Sequence, residues 1–335
     1  MDGWIMCKVM KRLVLLCGPN GIGKTSICHE LLRITPQSAY VDSDPLRMMN
    51  PFVLSDETIP TVAKNIGDLI ENYLDCPSVE TVFFSYGFHG RRREIFERVM
   101  ARLQMRELRF LPLLIWCDEE ENVRRMRLDE RDEARIARAI AVSRSAYANI
   151  DYPRIDVTNL NVSQAAQAVR EKVFELENTY RIAALTQEFV RKIEYWMYPE
   201  PSETFGYLSD TEPFDERTNR GGVACVDGAG NLQGYFCFGD AARIPTRMRD
   251  VYDETAIDME TRLHPALCGQ KRSGAFLRAG MTYAREKLGA KAFRVTVAGT
   301  NARAIRAYEK VGFVMVRKVW HKYSNEAFYV MRCDV

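Results

Sequence analysis

Gly18-Pro19-Asn20-Gly21-Ile22-Gly23-Lys24-Thr25 fits the pattern G-x-x-x-x-G-K-[ST] in full. Its flanks fit as well. Leu13-Val14-Leu15-Leu16-Cys17 reads as a buried strand over 11–17, and residues 24–34 read as a helix. Between a strand and a helix, such glycines let successive backbone N–H groups turn inward around an anion. The helix N-terminus adds the positive end of its dipole. Gly18, Asn20, Gly21, Ile22, Gly23, Lys24, Thr25 and Ser26 therefore form a candidate phosphate cradle for ATP or GTP. Lys24 is placed to reach the β- and γ-phosphates, and the Thr25 hydroxyl to ligate Mg²⁺. The motif speaks for binding and is silent on the fate of the γ-phosphate.

Outward from the loop, apolar strands alternate with amphipathic helices. Strands are expected at 38–42, 79–85, 109–117 and 154–158. Helices are expected at 24–34, 58–74, 91–104 and 163–176, with one long charged helix over 119–148. This alternation indicates a parallel sheet with crossover helices. The character changes near 178–186, where a new strand opens, followed by a helix to about 197. Pro199, Pro201 and Pro213 mark a loop-rich stretch. Two alternating apolar runs around Asp227-Gly228-Ala229-Gly230-Asn231 read as a hairpin. A strand at 256–264, a helix at 274–288, a strand at 292–299, a helix at 301–311 and two closing strands complete a mixed α+β half. We expect two domains, 1–177 and 178–335.

Length and composition agree with two soluble cores: 335 residues, 47% hydrophobic and 27% charged. The formal net charge of +2 gives no reason to expect a nucleic-acid or membrane partner. No apolar run is long enough to span a bilayer and no cleavable leader is visible. The nine cysteines are dispersed without a C-x-x-C pair. That pattern suits reduced thiols in a cytoplasmic protein and argues against a zinc site.

Three features of the first half are shared with a known group. One is the phosphate loop. Another is Tyr40-Val41-Asp42-Ser43-Asp44, an acidic pair ending the second strand. The third is the arginine-rich stretch Arg124, Arg125, Arg127, Arg131, Arg135 and Arg138. Over residues 11–176 the chain resembles P-loop kinases of small molecules and nucleotides, such as shikimate- and gluconate-kinase-like proteins and antibiotic phosphotransferases. The resemblance implies Asp44, with Asp42 as alternate, as base for an acceptor hydroxyl. It also implies lid arginines that close over the phosphates, with Arg124, Arg127 and Arg131 at i, i+3 and i+7 sharing a helix face. The competing readings are Asp44 as a helix N-cap and the arginines as members of a salt-bridged, solvated helix. One departure stands out. The third strand ends in Ser85-Tyr86-Gly87, where many P-loop enzymes place a metal-binding aspartate.

In the second half, LHPALCGQKRSGAFL (263–277) and NARAIRAYEKVGF (301–313) resemble the GNAT acyltransferase family from about residue 180 onward. The resemblance implies a splayed strand at 258–263, including Arg262 and Leu263, whose backbone pairs with pantetheine. The turn through Gly269, Gln270, Lys271, Arg272, Ser273 and Gly274 would hold the pyrophosphate of acetyl-CoA at a helix N-terminus. Tyr308 would be the general acid for the thiolate, or else a core tyrosine. Asn301 would cap its helix and touch the cofactor. Glu260, with Asp258, would be the base for an amine, or else simply solvated. The departure here is Cys268, Lys271 and Ser273 standing in the three specialised slots of the family's R/Q-x-x-G-x-G/A loop, the last two in place of glycine. The expectation is a bifunctional enzyme, an ATP-dependent phosphotransferase fused to an acetyl-CoA-dependent N-acetyltransferase, acting on small acceptors with hydroxyl and amine groups. The alternatives are an acetyltransferase with a nucleotide-sensing P-loop half, and a kinase with a non-catalytic GNAT module.

Overall fold

The computed structural model describes residues 10–198 and 222–334. The stretch with Pro199, Pro201 and Pro213 lies outside the described residues, as does the N-terminal segment ahead of the first strand. Contacts divide the chain between Leu176 and Glu177 into two compact units.

In the first unit, β1 (Lys11–Cys17), β2 (Ser38–Asp42), β3 (Thr81–Tyr86), β4 (Leu108–Trp116) and β5 (Arg154–Asp156) form a sheet of order β2-β3-β1-β4-β5. Every pairing is parallel. Such a sheet is covered on both faces, so its strands read as continuous apolar runs; Leu13 through Cys17 are fully buried. Helices α1 (Lys24–Ile34), α2 (Thr58–Asp75) and α3 (Arg92–Leu103) cross between the strands. On α2, Ile59, Val62, Ile66, Ile70 and Leu74 form a buried stripe at helical spacing. It packs in one cluster with Ile95, Phe96 and Val99 of α3. Parallel register brings the carboxyl ends of β1, β2 and β3 to one edge, with Asp42 opposite Ser85 and Cys17 opposite Tyr86. Ligands of open α/β sheets bind at that edge.

One expectation fails here. The charged stretch 119–148 is two helices, α4 (Glu119–Leu128) and α5 (Glu133–Tyr147). The chain turns at Asp129–Asp132, with Glu130 at φ +56°. Asp132 starts the new helix by accepting the Arg135 amide at 2.8 Å, a side-chain N-cap. Arg131 therefore leaves the helix face it was expected to share with Arg124 and Arg127. Helix α6 (Val162–Asn178) closes the unit.

The second unit is an α+β fold on a seven-stranded mixed sheet of order β11-β12-β10-β9-β8-β7-β6. The strands are β6 (Tyr180–Ala184), β7 (Val223–Asp227), β8 (Leu232–Phe238), β9 (Ile257–Leu263), β10 (Ala292–Ala298), β11 (Val314–Trp320) and β12 (Ala327–Asp334). Helices α7 (Gln187–Glu194), α8 (Ser273–Leu288) and α9 (Ala302–Glu309) accompany them. The β7–β8 hairpin is held by buried Asp227, whose Oδ1 accepts the amides of Ala229 at 3.0 Å and Asn231 at 2.9 Å. Neighbours pair antiparallel except β9 and β10, which run parallel and pair at only two positions, Ile257 with Phe293 and Asp258 with Arg294. Beyond Asp258 the two strands part, while Met259–Leu263 continue on β8. The sheet thus opens into a fork, as expected of a GNAT fold.

Candidate functional site

The phosphate loop of the first unit has the geometry its sequence calls for. Gly21 sits at φ +78°, and a Cβ there would lie 2.1 Å from Met126 Cγ, so only glycine fits. Lys24 Nζ donates to the Gly18 and Pro19 carbonyls, each at 2.7 Å, which folds the ammonium back over the loop. Burial is the first cause that brings its pKa down to about 8. Cys17 and Asp44 act against the shift, and Arg131 adds to it.

The loop is braced by residues that sequence reasoning missed as such. Tyr147 donates to Gly18 O at 2.6 Å and accepts the Phe88 amide at 3.1 Å. Asn122 donates to Asn20 O at 3.0 Å. Arg125 reaches Ile22 O at 3.0 Å and Val157 O at 2.7 Å. These contacts span up to 129 positions in sequence, and no local pattern announces them.

The loop opens on a cavity of about 170 Å³. Thr25 and Ser26 line it, with Asp42 and Asp44 from the end of β2, Ser85 to Gly87 from the end of β3, Arg92 from α3, and Arg131 from the turn between α4 and α5. Of the residues named from sequence, Asp42, Asp44 and Arg131 join the loop here. Arg124 and Arg127 do not. They pair with Glu121 and Glu133 on an exposed surface, the salt-bridged arrangement that was the competing reading. Asp44 precedes a short turn, Pro45–Arg47, but makes no side-chain cap. Its carboxylate pairs with Arg47, and its amide donates to Asp42 Oδ1 at 3.0 Å. Ser85 is buried and shares a 2.8 Å hydrogen bond with the Tyr40 hydroxyl. The cavity fits a Mg²⁺-nucleotide: an anion cradle with one cation folded over it, a hydroxyl at Thr25, and two carboxylates supplying the hard oxygen donors that Mg²⁺ prefers. Among the described residues, no group of three or more His, Cys, Asp or Glu side chains is arranged to hold a metal by itself.

In the second unit, the fork exposes two faces of β9, set by the period of two along a strand. On one, Thr261 Oγ1 and Tyr308 Oη lie 2.9 Å apart, with Tyr308 in the core beside Phe313 and Met259. Burial pushes the phenol up to about 12. On the other, Glu260 accepts from the Tyr235 hydroxyl at 3.2 Å and lies 3.5 Å from Arg262. Tyr198, unremarked in the sequence, donates to Leu263 O at 2.9 Å.

Asp258 is excluded as a base. It is 2% exposed and clasped by Arg294 at 2.6 and 3.0 Å and by Arg243 at 2.7 Å. Arg272 is also committed elsewhere, donating to Glu177 O at 2.7 Å. That engages one side of its guanidinium away from the turn.

Asn301 caps α9 by accepting the Ala304 amide at 3.0 Å. The turn before α8 holds Gly269 at φ +81° and Lys271 at φ +60°. Lys271 thus adopts a left-handed backbone in a slot where the family pattern has glycine. The helix Ser273–Leu288 follows with no side-chain cap at its N-terminus. An unpaired strand edge, a left-handed turn and an uncapped helix start are the elements a pantetheine and a pyrophosphate require, so the residues fit acetyl-CoA.

No family model and no curated protein sequence matches the chain. Among solved structures, it is similar to a spermidine N-acetyltransferase from Vibrio cholerae in complex with CoA and spermine (16% identity, 47% of this chain and 95% of that one, TM-score 0.36). It is similar to a gluconokinase from Sinorhizobium meliloti 1021 (13% identity, 50% and 95%, TM-score 0.37). It is also similar to the tunicamycin resistance protein of Deinococcus radiodurans (18% identity, 49% and 95%, TM-score 0.38). Each spans about half of this chain. The fold assignment rests on strand order and register, and the chemistry on the side chains described above.

Proposed function

We propose that the chain is a bifunctional transferase of small molecules, an ATP-dependent phosphotransferase in its first unit and an acetyl-CoA-dependent N-acetyltransferase in its second. One observation carries the reading: each unit sets a helix start suited to a phosphate in the same unit as a side chain suited to proton transfer. In the first, the loop ahead of α1 shares a cavity with Asp44. In the second, α8 and Tyr308 share a core beside the β9 fork.

When bound, Mg²⁺-ATP supplies an electrophilic phosphoryl group to the first unit. Gly21, Gly23 and Lys24 hold phosphates, and Thr25 with Asp42 serves the metal. Asp44 takes the proton of the acceptor hydroxyl. Arg131 keeps positive charge at the mouth of the loop. In the second unit, acetyl-CoA supplies a thioester when bound. Tyr308 holds a proton on its phenolic oxygen for the departing sulfur; a pKa of about 12 keeps that proton in place at neutral pH. Glu260, the carboxylate left after Asp258 is spoken for, receives the proton of the acceptor amine.

The test is calorimetric titration with Mg²⁺-ATP and with acetyl-CoA, followed by product analysis with labelled cosubstrates on a panel of hydroxyl and amine compounds. One site for each is expected, with Lys24→Ala losing only the nucleotide. Absence of acetyl-CoA binding would refute the second activity. A second reading, a nucleotide-sensing first unit, is favoured by Ser85, whose hydroxyl is tied to Tyr40 where an aspartate would serve the metal. It is supported if Lys24→Ala alters acetylation while no phosphorylated product forms from any compound.

A further inference from the structure

The register of β9 decides which of its backbone groups face the fork. Gly234 of β8 lies opposite Leu263, and the His264 amide donates to Gln233 O at 2.8 Å. In an antiparallel pair, residues that exchange both bonds alternate with residues whose N–H and C=O point away from the partner. His264 is of the first kind, so Leu263, Thr261 and Met259 are of the second. Their backbone groups turn away from β8, toward the side on which β10 stops pairing at Asp258. An extended chain such as pantetheine adds to an open edge through groups of this kind.

One of them already has a partner. Tyr198 Oη donates to Leu263 O at 2.9 Å, across 65 positions of sequence. The segment after α7 delivers it there. Trp196 is buried with its ring edge-on to His264 at 4.9 Å, while Met197 is 84% exposed. That in-and-out alternation belongs to extended chain, and it brings Tyr198 back onto β9 beside the Trp196 contact. Burial pushes the phenol up, so it keeps the proton it donates at neutral pH. The helix does not need this bond to stay on the sheet. Val190 and Ile193 of α7 already pack with Trp196, Ala224, Val226 and Tyr235 in one cluster.

We propose that Tyr198 is a place-holder in the fork. In the free protein its hydroxyl occupies the Leu263 carbonyl, and acetyl-CoA binds by putting a pantetheine amide N–H in its place while the phenol swings out. This rests on the acetyltransferase reading of the second unit. The exchange keeps the carbonyl hydrogen-bonded in both states, which avoids the cost of a stranded acceptor. It also sets the closed form of the fork against the cofactor, so the apparent affinity is lowered by the fraction of molecules that are closed.

The experiment is titration of the full chain with acetyl-CoA and with adenosine 3′,5′-bisphosphate, which carries the phosphates but no pantetheine. Tyr198→Phe removes only the hydroxyl. It should bind acetyl-CoA about two- to tenfold more tightly than the wild type, the equivalent of one net hydrogen bond, and hold the bisphosphate equally. Tyr198→Ala should gain at least as much on acetyl-CoA. Tyr195→Phe, at an exposed tyrosine just after α7, should match the wild type. A second readout follows the wild-type ring itself. In protein labelled with 3-fluorotyrosine, the ¹⁹F resonance missing from Tyr198→Phe belongs to Tyr198, and saturating acetyl-CoA should shift it to a solvent-exposed position. Equal or weaker acetyl-CoA binding in Tyr198→Phe, or a resonance unmoved at saturation, would make Tyr198 a fixed strut and overturn the place-holder. An equal gain on the bisphosphate would put the effect outside the fork and overturn it too. These outcomes leave acetyl-CoA binding, and with it the reading of the second unit, standing. If thermal unfolding shows Tyr198→Ala to be misfolded, Tyr198→Phe and the wild-type resonance decide. No acetyl-CoA binding by the wild type or by either Tyr198 variant would instead remove the acetyltransferase reading, and the place-holder with it.

Discussion

Replacing Asp258 by Asn tests whether the fork in the second sheet is set by one buried ion cluster. Asp258 sits at the last position where β9 and β10 still pair, opposite Arg294. Its two oxygens accept three guanidinium bonds of 2.6, 3.0 and 2.7 Å. Arg294 is 3% exposed, and its remaining carboxylate partner, Asp253, is largely solvated. The amide of Asn keeps at most two of these bonds, the pair that meets at Oδ2, and turns an N–H₂ toward a guanidinium, leaving Arg294 buried and undercompensated. Removing one partner of such a pair costs about 3–5 kcal/mol. At about 1.4 kcal/mol per decade, protection against hydrogen exchange should fall by roughly a hundredfold to a few thousandfold. Amides of 257–263 and 292–298 report the change, and those of 11–17 in the first unit are the internal reference. Acetyl-CoA affinity should fall in parallel, because the fork edge frays. The double variant Asp258→Asn/Arg294→Met removes the stranded charge and should recover part of the loss. A drop in protection of less than about fivefold in β9 and β10 would refute the clamp.

The Lys24 ammonium, at about 8 in the free loop, is the form that phosphate favours, so binding raises its pKa. Mg²⁺-ATP binding at pH 8.5 should therefore take up roughly three-quarters of a proton, and almost none at pH 6.5. Calorimetry in buffers of different ionisation enthalpy reads this directly, and no buffer dependence at pH 8.5 would refute it. Lys271→Gly should relieve a left-handed lysine and remove a cation from the α8 mouth. Acetyl-CoA affinity should fall by about two- to tenfold at low salt and become less salt-dependent; equal affinity and equal salt slope would show that Lys271 does not face the cofactor.

Hydrophobic periodicity carried most of the element reading, because burial on both faces of β1 or on one face of α2 is written locally along the chain. The candidate phosphate loop could be read for the same reason, since its pattern occupies eight consecutive residues. The reading of 119–148 as one helix failed because a charged helix has little apolar stripe. The decisive signal, Asp132 three residues before Arg135, looks like any i, i+3 ion pair until the cap forms. The brace from Tyr147 to Gly18 and the clamp from Asp258 to Arg294 depend on partners far apart in sequence. No spacing rule reaches them.

The two candidate anion loops meet different constraints, and this bears on how far a departure from a glycine pattern should count. At Gly21 the left-handed backbone is packed against α4, and a Cβ would strike Met126 Cγ at 2.1 Å, so the residue is fixed by volume as well as by dihedral. At Lys271 the same kind of backbone, φ +60°, is exposed, so the cost of a side chain is conformational alone, about 1–3 kcal/mol. The neighbouring Gly269, at φ +81°, has nothing within 4 Å of a Cβ position. An exposed loop of this kind can trade glycine for a cation: it forfeits a little stability and gains a charge beside an uncapped helix start. The residue in the glycine slot thus keeps the left-handed dihedral that glycine supplies there, and on the proposed reading the loss of the motif's letters is not a loss of its geometry.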